Sequence, residues 1–217
     1  MTPQIVGVIF SRPDFQRALR MRNPPDFFEL RLDRLNDCLD EIRGDVAGLP
    51  APLIITARDP REGGADGISA RRRRELLLDF VWQAAYIDIE LRAMRSFEAV
   101  LQSAAAARIR KIISFHDFKS TPSAARLDEI AANARSSGAD VVKIATRTDT
   151  ESQMCTLLDF YDRHRRQGPV AAMGFGKFGR NSRLELARRG TALNYGHLGS
   201  AAVSGQLSVR DLRRVLS

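Results

Sequence analysis

Lys143 lies inside the apolar run DVVKIAT, and a lysine there is seldom fully buried unless it has a task. A buried amine can serve as a nucleophile and form an imine with a ketone. A salt bridge to Glu29, Asp88 or Glu90 is the plainer role for the same side chain. His116, in the preceding apolar run KIISFHDF, favours the chemical role, because an imidazole titrates near neutrality and can shuttle a proton beside an imine-forming lysine. Taken alone, His116 would read as a satisfied structural residue.

Alternation along extended segments places other polar groups with these two. In FFELRLD, Glu29, Arg31 and Asp33 share one face, and Phe28, Leu30 and Leu32 share the other. Ile54, Thr56 and Arg58 lie together in PLIITAR, as do Asp88 and Glu90 in YIDIEL. Ile112, Ser114 and His116 share a face in KIISFHDF, and Val141, Lys143 and Ala145 share one in VVKIAT. A single strand of this kind would suit a structural ion-pair network equally well, since buried charges need partners. Recurrence on several strands, with polar groups near the strand C-termini, suits an active site.

Short apolar segments alternate with helical ones through the chain. The strand candidates are QIVGVIF, FFELRLD, PLIITAR, YIDIEL, KIISFHDF, VVKIAT, VAAMGFG and ALNYG. Helical periodicity marks LNDCLDEIRGDVAGL, SARRRRELLLDFVWQAA, SFEAVLQSAAAAR, LDEIAANARSSG and ESQMCTLLDFYDRH, with shorter helices around DFQRALRM and VRDLRRVL. This order predicts parallel βα units, and eight of them predict one (β/α)8 TIM barrel spanning residues 1–217. No GxGxxG comes after the first strand, and MGFGKFG lacks a P-loop's spacing and Lys-Ser/Thr ending.

Composition narrows the function class. The net charge is +8, but basic residues are dispersed and aromatics make up only 7%, too few for a nucleic-acid stacking platform. A soluble surface with an anion-binding site is the preferred reading. Arg71–Arg74 cannot share one helical face, so that run reads as solvated or as covering an oligomer contact. Cys38 and Cys155 suggest neither a metal site nor a disulfide framework, which fits a reducing cytoplasm. None of the histidines has a ligand-spaced partner, so neither metal nor cofactor is expected. His164, in DRHRR, reads as a solvated helix-end charge, and His197 as a loop residue after the eighth strand. The apolar run from Ile5 to Phe10 is too short for a signal peptide core or a membrane span.

The segments ELRLD, TARDPREGG, IDIEL, SFHDFKSTP, VVKIA, MGFGKFGRNSR and GQLSV resemble, in this order, the signature segments of type I 3-dehydroquinate dehydratases. The resemblance runs from about the second strand to Gln206. It implies dehydration of 3-dehydroquinate to 3-dehydroshikimate in the shikimate route to aromatic amino acids, by a homodimer. Lys143 would form the imine, His116 would move the protons, and Glu62 of REGG would assist. Asp88 would support His116. Arg183 of NSR would clamp the substrate carboxylate, and Gln206 would add a hydrogen bond and help close a lid. Glu29, Arg31 and Arg58 would bind hydroxyls, and Met173 would form an apolar wall. The family's closing SAPGQ or TAPGQ is AAVSGQ here, so Ala202 replaces a hydroxyl that Ser200 or Ser204 would have to supply. A class I aldolase-type Schiff-base lyase is the alternative; the HDF segment and the Arg58/Arg183 pair favour the dehydratase.

Overall fold

In the computed structural model, which describes residues 2–216, each apolar segment forms a strand. The strands are β1 (Gln4–Ile9), β2 (Phe27–Arg31), β3 (Leu53–Thr56), β4 (Ala84–Glu90), β5 (Arg110–Asp117), β6 (Val141–Arg147), β7 (Val170–Phe175) and β8 (Leu193–His197). Their order is β7-β6-β5-β4-β3-β2-β1-β8, and all the pairings are parallel. At the seam, Ala192 N donates to Val170 O and Ala172 N to Thr191 Oγ1, both at 2.9 Å. The sheet thus nearly closes on itself, with helices between the strands, as a (β/α)8 TIM barrel.

The helices are α1 (Arg12–Leu19), α2 (Leu32–Leu35), α3 (Leu39–Ile42), α4 (Ala70–Phe80), α5 (Glu98–Ala106), α6 (Ala124–Ser136), α7 (Glu151–His164), α8 (Gly179–Arg188) and α9 (Val209–Leu216). Several starts are written in the sequence. Ser11, Ser69 and Ser123 cap α1, α4 and α6 through their hydroxyls. Thr150 and Gln153 make a capping box at α7. Among the described residues, no helix is long and apolar enough to cross a membrane.

Outward strand residues such as Phe28, Leu30, Ile55 and Ile87 pack against Phe15, Leu76, Phe80 and Phe97 of the helical layer. Inside the barrel, Val6, Ile54, Ile112, Val141 and Ala171 fill the lower layers. The charged inward residues therefore stand on an apolar floor.

Several expectations need correction. The run LNDCLDEIRGDVAGL is not one helix: it breaks into α2, α3 and two 3₁₀ turns, since Asn and Asp compete for backbone partners and Gly44 and Gly48 weaken helix propagation. Strand β2 ends at Arg31, so Asp33 belongs to α2, although its carboxylate still accepts from Arg31 Nε at 2.9 Å. His164 is buried rather than solvated, because α7 turns it toward α6; its Nε2 lies 2.8 Å from Asp128 Oδ1 and its Nδ1 2.9 Å from Arg135. His197 ends β8 instead of lying beyond it.

Arg73 departs furthest from the expected solvated run. It is only 2% exposed, and its guanidinium passes from α4 into the top of the barrel. There it donates to Ala57 O at 2.7 Å, Asp59 Oδ2 at 2.9 Å and Glu90 Oε2 at 2.5 Å. Its ring partner is Phe97, with Cζ 4.9 Å from the centroid. Removing one member of a buried charge cluster costs about 3–5 kcal/mol. Chemical unfolding of Arg73→Ala should show a loss of that order, whereas Arg71→Ala, at an exposed position, should leave the midpoint nearly unchanged.

Candidate active site

Lys143 Nζ sits at the centre of the charged layer. It donates to Asp88 Oδ2 at 2.8 Å and Glu29 Oε1 at 3.2 Å, and lies 3.8 Å from the centre of the Tyr195 ring. The strand register explains the convergence, because Ser114 aligns with Lys143, and Thr56 with Asp88. Each carboxylate has further partners. Thr56 Oγ1 donates to Glu29 Oε1 at 3.0 Å, while Arg58 and Ser114 donate to Asp88 at 2.7 and 2.6 Å. Burial works against the Asp88 charge, but Arg58 and Lys143 outweigh it and hold the carboxyl far below its ordinary value. Arg58 also bonds Glu90 at 3.1 Å, and Glu90 leads on to Arg73.

His116 stands at the top of the same face of β5, two residues beyond Ser114. Its Nδ1 is 3.0 Å from Glu62 Oε2, and its backbone N–H donates to the same oxygen at 3.0 Å. Burial raises the Glu62 pKa to about 7. Burial, with Arg58 and Lys143 adding to it, pushes His116 well below its usual value. The pair therefore holds a neutral imidazole against a carboxyl poised to exchange a proton at neutral pH. Asp88 acts on His116 through its charge, which opposes the fall in the imidazole pKa, and not through a hydrogen bond. It aligns with Ile112, lower on β5, and its hydrogen bonds go to Lys143, Arg58 and Ser114.

Glu62 is presented by the 3₁₀ turn Pro60–Glu62 rather than by a strand. Two glycines shape the chain immediately beyond this turn. Gly63 adopts φ +83°, a conformation costly for other residues, and a Cβ on Gly64 would lie 2.1 Å from Arg58 O. Arg31 and Arg34 close the turn by donating to Gly63 O at 3.1 and 3.3 Å.

These groups line a cavity of about 510 Å³. Glu29, Arg31, Arg58, Glu62, His116, Lys143, Met173, Arg183 and Gln206 all reach it, whereas Asp88 supports it from beneath. Arg183 is the cation without an acid. Its donors go to the carbonyls of Gly174 at 2.8 Å and Tyr195 at 3.3 Å, and no carboxylate pairs with it among the described residues. Burial alone pulls its pKa down to about 10. A desolvated, uncompensated guanidinium beside a cavity favours an anionic ligand.

The segment after β8 covers the cavity with Ser200, Ala201, Ala202 and Val203. Gln206 Oε1 accepts from Ala202 N at 2.9 Å, tying the two ends of the loop together. Of the two serines that could replace the missing hydroxyl, Ser200 lines the cavity, whereas Ser204 offers its carbonyl to Gly176 N at 3.2 Å. The glycine-rich loop after β7 has few free amides. Gly176 N donates to Ser204 O, Lys177 N to Asp149 Oδ1 and Phe178 N to Thr148 O. This internal saturation argues against the phosphate cradle that the aldolase alternative would need.

Tyr195, Phe10, Phe118 and Phe175 also line the cavity and escaped the sequence reading. Alternation along ALNYG would have turned Leu193 and Tyr195 inward, but its apolar composition concealed a polar group. Phe118 stacks against Phe175 with ring centres 4.6 Å apart.

Comparison with known proteins agrees with this geometry. The type I 3-dehydroquinase family model matches residues 13–217. A 3-dehydroquinate dehydratase of Methanothrix thermoacetophila is 32% identical over 219 residues, covering 99% of this chain and 91% of the relative. That of Thermococcus gammatolerans is 32% identical over 217 residues, covering 98% and 97% respectively. The chloroplastic bifunctional 3-dehydroquinate dehydratase/shikimate dehydrogenase of Arabidopsis thaliana is 32% identical over 192 residues; the match takes in 86% of this chain but 32% of that protein. Among solved structures, the type I 3-dehydroquinate dehydratase of Clostridium difficile with covalently modified comenic acid has a TM-score of 0.85 at 26% identity, covering 99% of this chain and 91% of that one. Since the family match runs nearly the length of the barrel, the chain belongs to the type I 3-dehydroquinase family of hydro-lyases.

Proposed function

We propose that this barrel converts 3-dehydroquinate to 3-dehydroshikimate and water through an imine on Lys143, with His116 as the proton carrier. The reaction belongs to the shikimate pathway. The observation that carries the reading is Lys143 Nζ, buried at the floor of a cavity whose wall holds the His116–Glu62 pair. Lys143 passes an ammonium proton to His116 and its free amine attacks the substrate ketone; with that proton returned to the leaving oxygen, loss of water leaves an iminium cation. That cation withdraws electrons and acidifies the adjacent C–H. His116 removes the proton, the resulting enamine expels the hydroxyl group, and the same imidazole returns the proton to the departing oxygen. Hydrolysis then restores the amine and releases the product, so the net change is one water lost.

Arg183 receives the substrate carboxylate in this scheme, and Glu29, Arg31 and Arg58 face its hydroxyls. Met173 packs on its carbon ring, and the loop with Gln206 limits water at the imine. Arg31 and Arg58 already commit most of their donors to Asp33, Asp88, Glu90 and Ser114. Their share in recognition is therefore chiefly a positive field, with Arg183 as the open fork. The proposal includes a homodimeric state and a cytoplasmic setting, the latter supported by the free thiols Cys38 and Cys155.

Borohydride reduction in the presence of 3-dehydroquinate should add substrate mass to Lys143. Lys143→Ala should lose both the adduct and turnover. His116→Ala should slow turnover by at least ~10²-fold while a slow adduct still forms; an adduct on another residue would overturn the scheme.

Because Glu62 titrates at about 7, kcat/KM should climb with pH through that value as its carboxylate forms and supports the imidazole as base. Glu62→Gln should lower activity and erase this limb. A limb unchanged in Glu62→Gln would assign it to another group.

Arg183→Met should raise KM by about 10–100-fold with a smaller effect on kcat, the range for a hydrogen bond between charged partners. A KM near the wild-type value would place the substrate carboxylate elsewhere.

A further inference from the structure

We propose that Tyr195 is a positioning residue for imine formation: its hydroxyl takes over as donor to Glu29 when Lys143 turns from that carboxylate to the substrate. The inference rests on the Schiff-base reading above and extends it to a residue outside the proton-carrying pair.

Hydrogen counts set the constraint. An ammonium has three N–H donors, whereas a protonated imine has one. Lys143 Nζ donates to both Glu29 and Asp88 before reaction, so at least one carboxylate loses its lysine bond when carbon is engaged. Asp88 is protected against that loss, since Arg58 NH2 at 2.7 Å and Ser114 Oγ at 2.6 Å remain. Glu29 keeps the Thr56 hydroxyl at 3.0 Å, on the same oxygen that Lys143 uses. Glu29 is therefore the carboxylate left short of a donor.

Tyr195 has the donor to offer. Among the described residues, its hydroxyl is fully buried and makes no hydrogen bond. Such a group destabilises the fold, so its presence in a charged interior calls for a function. The ring and Glu29 share one contact, Nζ itself, which lies 3.8 Å from the ring centre and 3.2 Å from Glu29 Oε1. Burial first, and then Glu29 and Asp88, push the phenol well above its ordinary value, so it stays protonated as an O–H donor. The ring face meanwhile steadies the ammonium before reaction. One side chain thus serves both states, its π face the cation and its hydroxyl the carboxylate that the cation leaves.

Tyr195→Phe separates these roles, because it keeps the ring and removes the hydroxyl. The melting temperature should hold or rise, since an unsatisfied buried group is gone. KM for 3-dehydroquinate should stay within about two-fold, while kcat falls by about ten-fold, the lower range for a lost hydrogen bond to a charge. Rapid-mix borohydride trapping should show adduct formation on Lys143 slowing in parallel. Combined with Glu29→Gln, the loss should be non-additive, because both changes remove the same bond. Wild-type kcat and adduct rate in Tyr195→Phe would overturn the proposal, as would a slower kcat with adduct formed at the wild-type rate. Absence of any adduct in the unaltered enzyme would overturn the Schiff-base reading and this inference together.

Discussion

A nearly closed sheet shields its interior charges from bulk water, and an unpaired ion there costs several kcal/mol. The barrel resolves this with alternating acids and bases. Arg73 touches Asp59 and Glu90, Arg58 touches Glu90 and Asp88, and Lys143 touches Asp88 and Glu29. Every one of these cations spans two carboxylates, and the run begins outside the sheet on α4 and ends on β6. Lys143 is its terminal cation, and both it and Arg58 face the cavity. The rest of the site inherits its geometry from this arrangement. Glu90 also accepts from Asp59 N at 2.9 Å, so the network fixes the start of the turn that carries Glu62.

Above this balanced layer the electrostatics change character. Arg183 has only carbonyls for partners, and Glu62 and His116 are both shifted toward their neutral forms. The lower layer is a scaffold whose charges compensate one another. The upper layer has an unsatisfied cation and a pair of groups able to exchange a proton. An anionic substrate and a proton transfer both need such imbalance, and a site with every charge already paired would have no affinity to offer either.

How much of this was legible depends on the kind of local rule each residue obeys. The inward row of Glu29, Asp88, Ser114, His116 and Lys143 could be read directly, because a strand's two-residue period is rigid and its apolar partners mark the opposite face. Glu62 lies on a 3₁₀ turn, where no periodicity applies, so only the resemblance of TARDPREGG located it. Arg73 was hidden by its neighbours. In four consecutive arginines, composition says solvent, and only the packing of α4 selects the one that turns inward. His164 was masked in the same way by Arg163, Arg165 and Arg166. Tyr195 failed for the opposite reason, since ALNYG looks like ordinary apolar strand and an orphaned hydroxyl is a tertiary property. Residues 32–48 show the limit of periodicity itself, where apolar spacing survives but Asn, Asp and Gly break the helix into turns.

The two layers meet at Lys143, and the reaction proposed there is unusual in what it leaves unchanged. Ammonium and iminium both carry one positive charge, so the Coulomb balance with Asp88 and Glu29 persists when nitrogen bonds to carbon. What alters is the number and direction of N–H donors. A network tuned by charge alone would tolerate the resting ammonium and the iminium equally well and would do little to favour the step between them. Hydrogen-bond donors distinguish the two, and they are directional and local. In the proposed pathway, discrimination therefore falls to the hydroxyls of Thr56 and Ser114 on the two carboxylates and to that of Tyr195 in its proposed role. The guanidinium groups set the field, and these small dipoles decide which state of the lysine fits it best.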